Sequence, residues 1–173
     1  MKYYLHKIQT PVGELSLVAS DASLLAVLWE ADDPQRVPLS GECSEKPSPI
    51  LKETERQLME YFAGERHIFD LPIRFNGTDF QNSVWKALQT IPYGCTASYG
   101  GIAQSIGSPK ASRAVGAANG KNPLSIIVPC HRVVGSDGSL TGFAGGLKIK
   151  ERLLELENKT KKWRTDAVAG LSG

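Results

Sequence analysis

Residues 128–134, VPCHRVV, set a cysteine beside a histidine and an arginine within an apolar run. A free thiol has a pKa of about 8.5 and attacks only as its thiolate, so a neighbouring base or cation is what makes a cysteine a nucleophile. His131 could take the proton of Cys130. In an extended chain, however, adjacent side chains point to opposite faces. The pair serves one site only if the chain turns directly after Pro129. The alternative is a structural cysteine in a buried apolar strand, because free cysteine is among the most buried residue types. Three neighbouring features favour chemistry. NGKNP at 119–123 holds two asparagines against a proline-fixed turn. GSDGSLTGFAGG at 135–146 is a glycine-rich loop able to close over a small ligand. Glu157, farther along, can orient the histidine to give a Cys–His–Glu chain. Otherwise it is a solvated charge on an amphipathic helix.

Other chemistries find less support. Cys43, Cys95 and Cys130 form no CxxC pair and no even framework, and His6, His67 and His131 are far apart. Neither a metal site nor a cofactor is expected. No apolar run approaches the roughly 18 residues of a membrane-spanning helix. The start, MKYYLHKIQTPVGELSL, lacks a secretory signal's apolar core and cleavage site. These features predict a reduced cytoplasmic protein. The net charge of +2 hides a division. Residues 1–78 carry 8 Lys+Arg against 12 Asp+Glu, and residues 79–173 carry 12 against 6. The window 80–136 holds Lys86, Lys110, Arg113, Lys121 and Arg132 and no acidic residue, which suits a phosphate backbone or an ordinary solvated basic face.

The elements that must position these residues fall into two parts, giving an α/β (α+β) class. YYLHKIQT and ELSLVAS alternate around the turn signal PVG and predict a hairpin, and LLAVLWE predicts a third strand. ADDPQRVPLSGECSEKPSP, residues 31–49, reads as a mobile polar loop. Ser48 as cap and Pro49 at the first position open a helix carrying Ile50, Leu51, Leu58, Tyr61 and Phe62, which Gly64 stops. Thr78 or Asp79 caps a second helix with Phe80, Val84, Trp85 and Leu88 on one face. Two short helices then flank IGSP, one with Tyr99, Ile102, Ala103 and Ile106, the other opening at Pro109. LSIIVPC reads as a buried strand or extended run, and GGLKIKERLLELEN as a last helix with Leu147, Leu153, Leu154 and Leu156 apolar. The boundaries expected are 1–75, 76–160 and a loose tail over 161–173.

The paired short helices suggest a helix-turn-helix. The second, KASRAVGAAN, is nearly all small residues, which suits close helix packing or a close approach to a DNA groove. In a groove, Arg113 could insert into the base stack. Bulky polar side chains for reading base edges are missing, so binding would survey a duplex largely without regard to sequence. On residues alone, a cysteine hydrolase, a silent lesion-binding module and a thiol redox sensor all remain open.

PCHRVV at 129–134 resembles the active-site motif of the O6-alkylguanine-DNA alkyltransferases. The resemblance runs without a gap over SRAVGAANGKNPLSIIVPCHRVVGSDGSLTGFAGGLKIKERLLELE and back through SYGGIA and FQNSVWKALQTIPYG, covering 79–157. The N-terminal strands fit the family's smaller domain more loosely. The similarity is to the bacterial constitutive form without a further regulatory domain. It implies a ribonuclease H-like N-terminal domain and a winged-helix-like C-terminal one. It also implies direct reversal of O6-alkylguanine damage, with O4-alkylthymine left open. Cys130 would accept the alkyl group, His131 would act as base through water, and Glu157 would hold the histidine. Asn122 would be the hinge, and Tyr99 would protonate the departing guanine. Arg113 would be the finger that replaces the extruded nucleotide, with Lys110, Ala111, Ser112, Ala114 and Asn119 beside it on DNA. Pro129, Val133, Phe143, Ala144 and Gly145 would line the pocket. The partner implied is double-stranded DNA through its minor groove, with no membrane and with self-association on DNA left open. Two departures stand out: Phe143 replaces the family's usual lid tyrosine, and Ala144 replaces a serine found in some relatives. Zinc held by the N-terminal domain in some relatives finds no ligand cluster here.

This chemistry requires extrusion of the base, because guanine O6 lies inside the duplex. The thiolate would then attack the alkyl carbon in a dry pocket, with His131 keeping the thiolate available. The thioether formed is not reversed by thiols, as a disulfide would be, so each molecule would act once.

Overall fold

A computed structural model describes residues 2–172, with side chains to residue 161. Strands β1 (Lys2–Thr10) and β2 (Gly13–Ala19) form the hairpin expected, pairing Tyr4 with Ala19 and Thr10 with Gly13. Gly13 closes the turn at φ 101°, a conformation that only glycine adopts cheaply. Strand β3 (Leu24–Trp29) lies antiparallel to β2, and the sheet order is β3-β2-β1-β4. Strand β4 (Glu42–Ser44), parallel to β1, corrects the reading of 31–49 as loop alone. Three residues without alternation give no periodic signal of a strand. The rest of that segment is held in place. Val37 and Leu39 cover Val18, Leu25 and Ala26 on one face of the sheet, and Arg36 chelates Asp32 through Nε and Nη2, each at 2.7 Å.

Helix α1 (Pro49–Phe62) covers the other face. The Ser48 hydroxyl accepts from Leu51 N–H at 3.4 Å, Pro49 opens the helix, and Leu51, Thr54, Leu58 and Tyr61 recur along one buried side. Gly64, at φ 77°, ends it; a Cβ there would stand 2.7 Å from Thr160.

The outer edge of β3 explains its continuous apolar run. Leu24 N–H donates to Pro72 O at 2.7 Å, and Val27 N–H donates to Pro123 O at 2.8 Å. Leu24 thereby bridges Ile73, and Val27 bridges Leu124. Two later segments, one at the end of the N-terminal half and one in the C-terminal half, seal a strand edge that would otherwise be an open pairing template. One core runs through both halves, from Leu15 and Leu58 to Val115, Val128 and Leu153.

Helix α2 (Asp79–Leu88) starts in a full capping box, Thr78 with Gln81. Its Trp85 indole donates to Ala118 O at 2.8 Å, fixing α2 against α4. Strand β5 (Ala97–Ser98) leads into α3 (Tyr99–Ser105), whose Ser98 hydroxyl accepts from Gly101 N–H at 2.9 Å. Helix α4 (Ser112–Gly120) does not open at Pro109. Ala111 N–H returns to Ser108 O at 2.9 Å, so Pro109 occupies the second position of a β-turn, the place its fixed φ suits best.

The segment LSIIVPC is not a strand. After Leu124 the chain reverses at Ile126, which has φ 72°, and Val128 N–H reaches back to Leu124 O at 2.8 Å. A β-branched residue in that region is strained. Asn122 closes the loop from within: its amide donates to Val128 O at 2.8 Å, and its carbonyl accepts from Leu124 N–H at 3.0 Å. Strand β6 (Val133–Val134) pairs in parallel with β5. Helix α5 (Leu147–Ser172) runs past the end that the sequence predicts near 160. KTKKWRTDAVA lacks apolar periodicity but contains no breaker before Gly170, which is enough to continue a helix. The looseness expected of 161–173 lies beyond the described side chains. Among the described residues, no helix is long and apolar enough to cross a membrane.

The glycine-rich loop 135–146 folds onto the sheet. Phe143 meets Trp29 of β3 edge to face at 5.4 Å, and a Cβ on Gly145 would lie 2.9 Å from the Trp29 ring. Cys43 and Cys95 are exposed, whereas Cys130 is 4% exposed. A colorimetric thiol titration is therefore expected to show two fast thiols and one slow one. Phe143→Ala, which removes an aromatic contact of about 0.5–1.5 kcal/mol beyond its area, should accelerate the slow phase alone. Three equal rates would contradict the closed loop.

Candidate active site and nucleic-acid interface

The turn that the sequence demands after Pro129 is present. Cys130–Arg132 form one 3₁₀ turn, with Arg132 N–H donating to Pro129 O at 3.0 Å and Val133 N–H closing on Cys130 O. The apolar run thus breaks where the reactive residues begin. The Asn119 amide donates to Cys130 O at 3.3 Å. Burial pushes the Cys130 thiol up; the Asn122 side chain and the charges of Arg36 and Lys150 oppose that rise. The resting thiol is protonated, and the groups that favour its ionisation are Asn122, Arg36 and Lys150.

Glu157 is no solvated charge. It is 1% exposed and gathers donors from four directions. His131 Nε2 lies 2.6 Å from Oε2, and Tyr61 Oη donates to the same oxygen at 2.6 Å. Arg132 donates through Nε to Oε1 at 2.8 Å and through Nη2 to Oε2 at 3.1 Å. Gly94 N–H reaches Oε1 at 3.3 Å. Burial works against ionisation of this carboxyl, yet His131 and Arg132 hold it well below the usual carboxylate range. A carboxylate only accepts, so His131 must carry its proton on Nε2. That tautomer leaves Nδ1 as the acceptor, and Nδ1 has no hydrogen-bonding partner. Burial lowers the histidine pKa; Glu157 raises it, while Arg132 and Lys150 lower it. The imidazole is neutral. Burial, then the Glu157 carboxylate, push the Tyr61 phenol well above its ordinary value, so it remains a donor.

Lys150, fully buried, connects this centre to the loop above it. Its ammonium donates to Val133 O at 2.6 Å and sits 3.4 Å from both Thr141 O and Oγ1. Tyr99 is hydrogen-bonded to Thr141 Oγ1. Lys150 Nζ also lies 6.0 Å from the Phe143 ring centre. Pro129 and Val133 are buried beside Cys130, Phe143 and Gly145 are half-buried against Trp29, and Ala144 is exposed.

The interface residues divide. Lys110, Arg113 and Ala114 are exposed, and Ala111 and Ser112 half-buried, at the start of α4. Asn119 is 4% exposed and faces Cys130, which corrects its expected place on DNA: as a polar side chain on the buried side of α4 it must satisfy its amide internally. Arg132 likewise leaves the basic face and is spent on Glu157 and on Ile91 O, at 2.7 Å.

Sequence reasoning passed over Arg132, Tyr61, Lys150, Arg36 and Thr141 as parts of this centre. One signal was available. Lys150, Leu153 and Glu157 recur at i, i+3 and i+7, so a stripe containing Leu153 carries two charges, which requires buried partners. Among the described residues, no three His, Cys, Asp or Glu side chains gather as metal ligands.

Residues 3–75 match the ribonuclease-like domain of 6-O-methylguanine DNA methyltransferase, and residues 79–159 match the DNA-binding domain of the same family. A methylated-DNA–protein-cysteine methyltransferase of Methanosarcina acetivorans is 49% identical over 155 residues, covering 89% of this chain and 97% of that protein. The constitutive Bacillus subtilis protein of the same name is 45% identical over 164 residues, 94% of this chain and 99% of its own. The Mycobacterium tuberculosis protein OGT, crystallised in complex with DNA, superposes with a TM-score of 0.84 at 45% identity, covering 92% of this chain and 94% of that one. With both halves matched and identity near one half over most of its length, this chain belongs to the 6-O-methylguanine DNA methyltransferase family.

Proposed function

We propose that this protein repairs DNA by direct reversal, moving the alkyl group of an extruded O6-alkylguanine irreversibly onto Cys130. The observation that carries this reading is the placement of a buried thiol on the 3₁₀ turn that bears His131, packed behind a helix whose exposed face presents Arg113. Small side chains on α4 let its backbone approach a groove, and Arg113 fills the stack left by the extruded nucleotide. Lys110, Ala111, Ser112 and Ala114 flank it there. The 135–146 loop opens to admit the base and closes with Phe143 and Gly145 over it, while the exposed Ala144 marks its rim. Cytoplasmic DNA is the natural substrate location for such a protein.

The protonation states define the chemistry. The resting thiol is neutral, and neutral His131 offers Nδ1 as acceptor. The Cys130 proton passes to that nitrogen, directly or through one water. Sulfur then bonds to the alkyl carbon, the carbon–O6 bond breaks, and its electron pair goes to the purine. Tyr99 gives guanine a proton and regains one from solvent. Glu157 keeps the imidazole in the productive tautomer and stabilises the imidazolium formed. Asn122 holds the loop that carries Cys130. A cysteine hydrolase would turn over repeatedly, whereas a thioether ends the reaction after one transfer.

Mixing the protein with a duplex carrying labelled O6-methylguanine should leave one methyl on the peptide containing Cys130, read by mass spectrometry. Cys130→Ala should bind the duplex and gain nothing; uptake by that variant would sink the assignment.

Glu157→Ala strands the buried side chains of Arg132, His131 and Tyr61, and breaking such a cluster costs about 3–5 kcal/mol. Urea unfolding is the measurement, and a loss below about 1 kcal/mol would show that Glu157 does not organise the centre.

Stability should also have an optimum in pH. The folded-state pKa of His131 lies below 6.5, so the unfolded chain binds more protons on acidification and stability falls as pH drops below 6.5. The depressed carboxyl of Glu157 deepens that loss through the carboxylate range, from its ordinary 4.5 downward. The raised thiol acts oppositely: the unfolded chain loses a proton first, so stability falls as pH rises past 9.0. Melting temperature should therefore be highest between 6.5 and 9.0. A monotonic rise of melting temperature down to pH 5 would overturn the neutral histidine.

A further inference from the structure

Between the 35–41 loop and the N-terminus of α2 lies a surface cleft of about 480 Å³. Arg36, Arg74 and Lys121 line it, with Gln81 and the rings of Tyr3 and Trp85, and no aspartate or glutamate does. Arg36 is anchored on Asp32, and its Nη1 donates to Asn122 O at 2.7 Å and to Gly120 O at 3.3 Å. The cleft wall is thereby fastened to the C-terminal end of α4. Arg74 and Lys121 are exposed.

The exposed residues of α4 and its cap give the cleft a direction. Arg113, Ala114, Ala117, Gly120 and Lys121 are exposed, at i, i+1, i+4, i+7 and i+8, one continuous helical stripe. Its first cation is Arg113, and its last, Lys121, forms part of the cleft. Eight residues of helix span about 12 Å, which is three to four base pairs at about 3.4 Å of axis per pair. A duplex laid along this stripe from Arg113 runs its backbone toward the cleft. The cations there, with no acidic neighbour in the lining, match phosphate charge and no other part of the duplex.

We infer that the cleft is a second DNA contact, in which Arg74 and Lys121 hold backbone phosphates three to four base pairs from the nucleotide displaced by Arg113. The N-terminal half thus takes part in DNA binding through Arg74. The inference rests on DNA as the partner and adds a site to that reading.

The test is the salt dependence of binding to a lesion-free duplex. Each phosphate contact contributes about 0.9 to the slope of log K against log[salt]. Arg74→Ala/Lys121→Ala should lower the magnitude of the slope by about 2, so that over a fourfold rise in salt the wild type loses roughly tenfold more affinity than the variant. Lys7→Ala/Lys52→Ala, which removes two exposed cations remote from the cleft, should leave the slope unchanged. An unaltered slope in the first variant, or an equal fall in both, overturns the inference. If the cleft variant melts lower than the wild type, the two single variants replace it, each expected to lower the slope by about 1. Methyl uptake by the wild type is followed separately. Its absence would end the repair assignment, while the slopes would still decide whether phosphates occupy the cleft.

Discussion

The carboxylate of Glu157 is costly to bury, and the active centre is assembled around meeting that cost. An isolated carboxylate in this position would neutralise itself or unfold the chain. Here Arg132 supplies a permanent charge, and His131, Tyr61 and the Gly94 amide supply further donors. They come from three stretches of chain: Arg132 and His131 from the 3₁₀ turn, Tyr61 from α1 and Gly94 from the loop after α2. Because a paired carboxylate in a dry interior is only as good as its geometry, these stretches must occupy their places together. The tautomer of His131 follows directly, and with it the availability of Nδ1. Arg132 has a second effect. Burial holds the His131 pKa down, and the Arg132 charge lowers it further against the pull of Glu157, so the imidazole remains a base.

That constraint also explains why the N-terminal half matters to chemistry it does not contain. Tyr61 reaches Glu157 from α1, and Trp29 at the end of β3 receives both Phe143 and Gly145 of the glycine-rich loop. Arg36 clasps the two carbonyls flanking Lys121 while its charge favours ionisation of the thiol. The β3 edge, sealed by Pro72 and Pro123, makes these contacts parts of one packed body. Phe143 supplies an apolar ring for Trp29, a contact that calls for no hydroxyl.

Periodicity and capping made most of the scaffold legible. Ser48-Pro49 and Thr78 mark helix starts that the structure reproduces, and PVG marks the hairpin. What periodicity missed has a common physical origin. Strand β4 is three residues long and owes its form to pairing with Lys2, Tyr3 and Tyr4. The turn at Ile126 runs against the preference of its own side chain and exists because Asn122 binds both ends of the loop. Pro109 is equally at home at a helix start and in a β-turn, and only the hydrogen bond from Ala111 decides. At the site, Cys130, His131 and Glu157 were visible as residue types in a suggestive order. Their partners Tyr61, Lys150 and Arg36 were not, because a long-range donor carries no local mark. Asn119 shows the opposite error: the resemblance put it on DNA, but its position relative to Val115 and Ala118 puts it on the buried side.

The same packing explains why the reaction suits a protein used once. The sulfur of Cys130 lies in a wholly buried turn, between Asn119, which holds its carbonyl, and Asn122, which acts on the thiol. A thiol there can surrender a proton and revert; a thioether can do neither. The added carbon must occupy space in an interior packed as densely as an organic crystal, and the interaction of Asn122 with the thiol is lost at the same moment. Overfilling of this kind typically costs about 1–3 kcal/mol, set against a total stability of only about 5–15 kcal/mol for an ordinary domain. Beside it, Arg132 is tied to both Glu157 and Ile91 O and Tyr61 is buried on α1, so the surroundings yield little space. The rigidity that prepares His131 to accept one proton is therefore the rigidity that leaves no room for the product, and transfer and inactivation are two consequences of one close-packed turn.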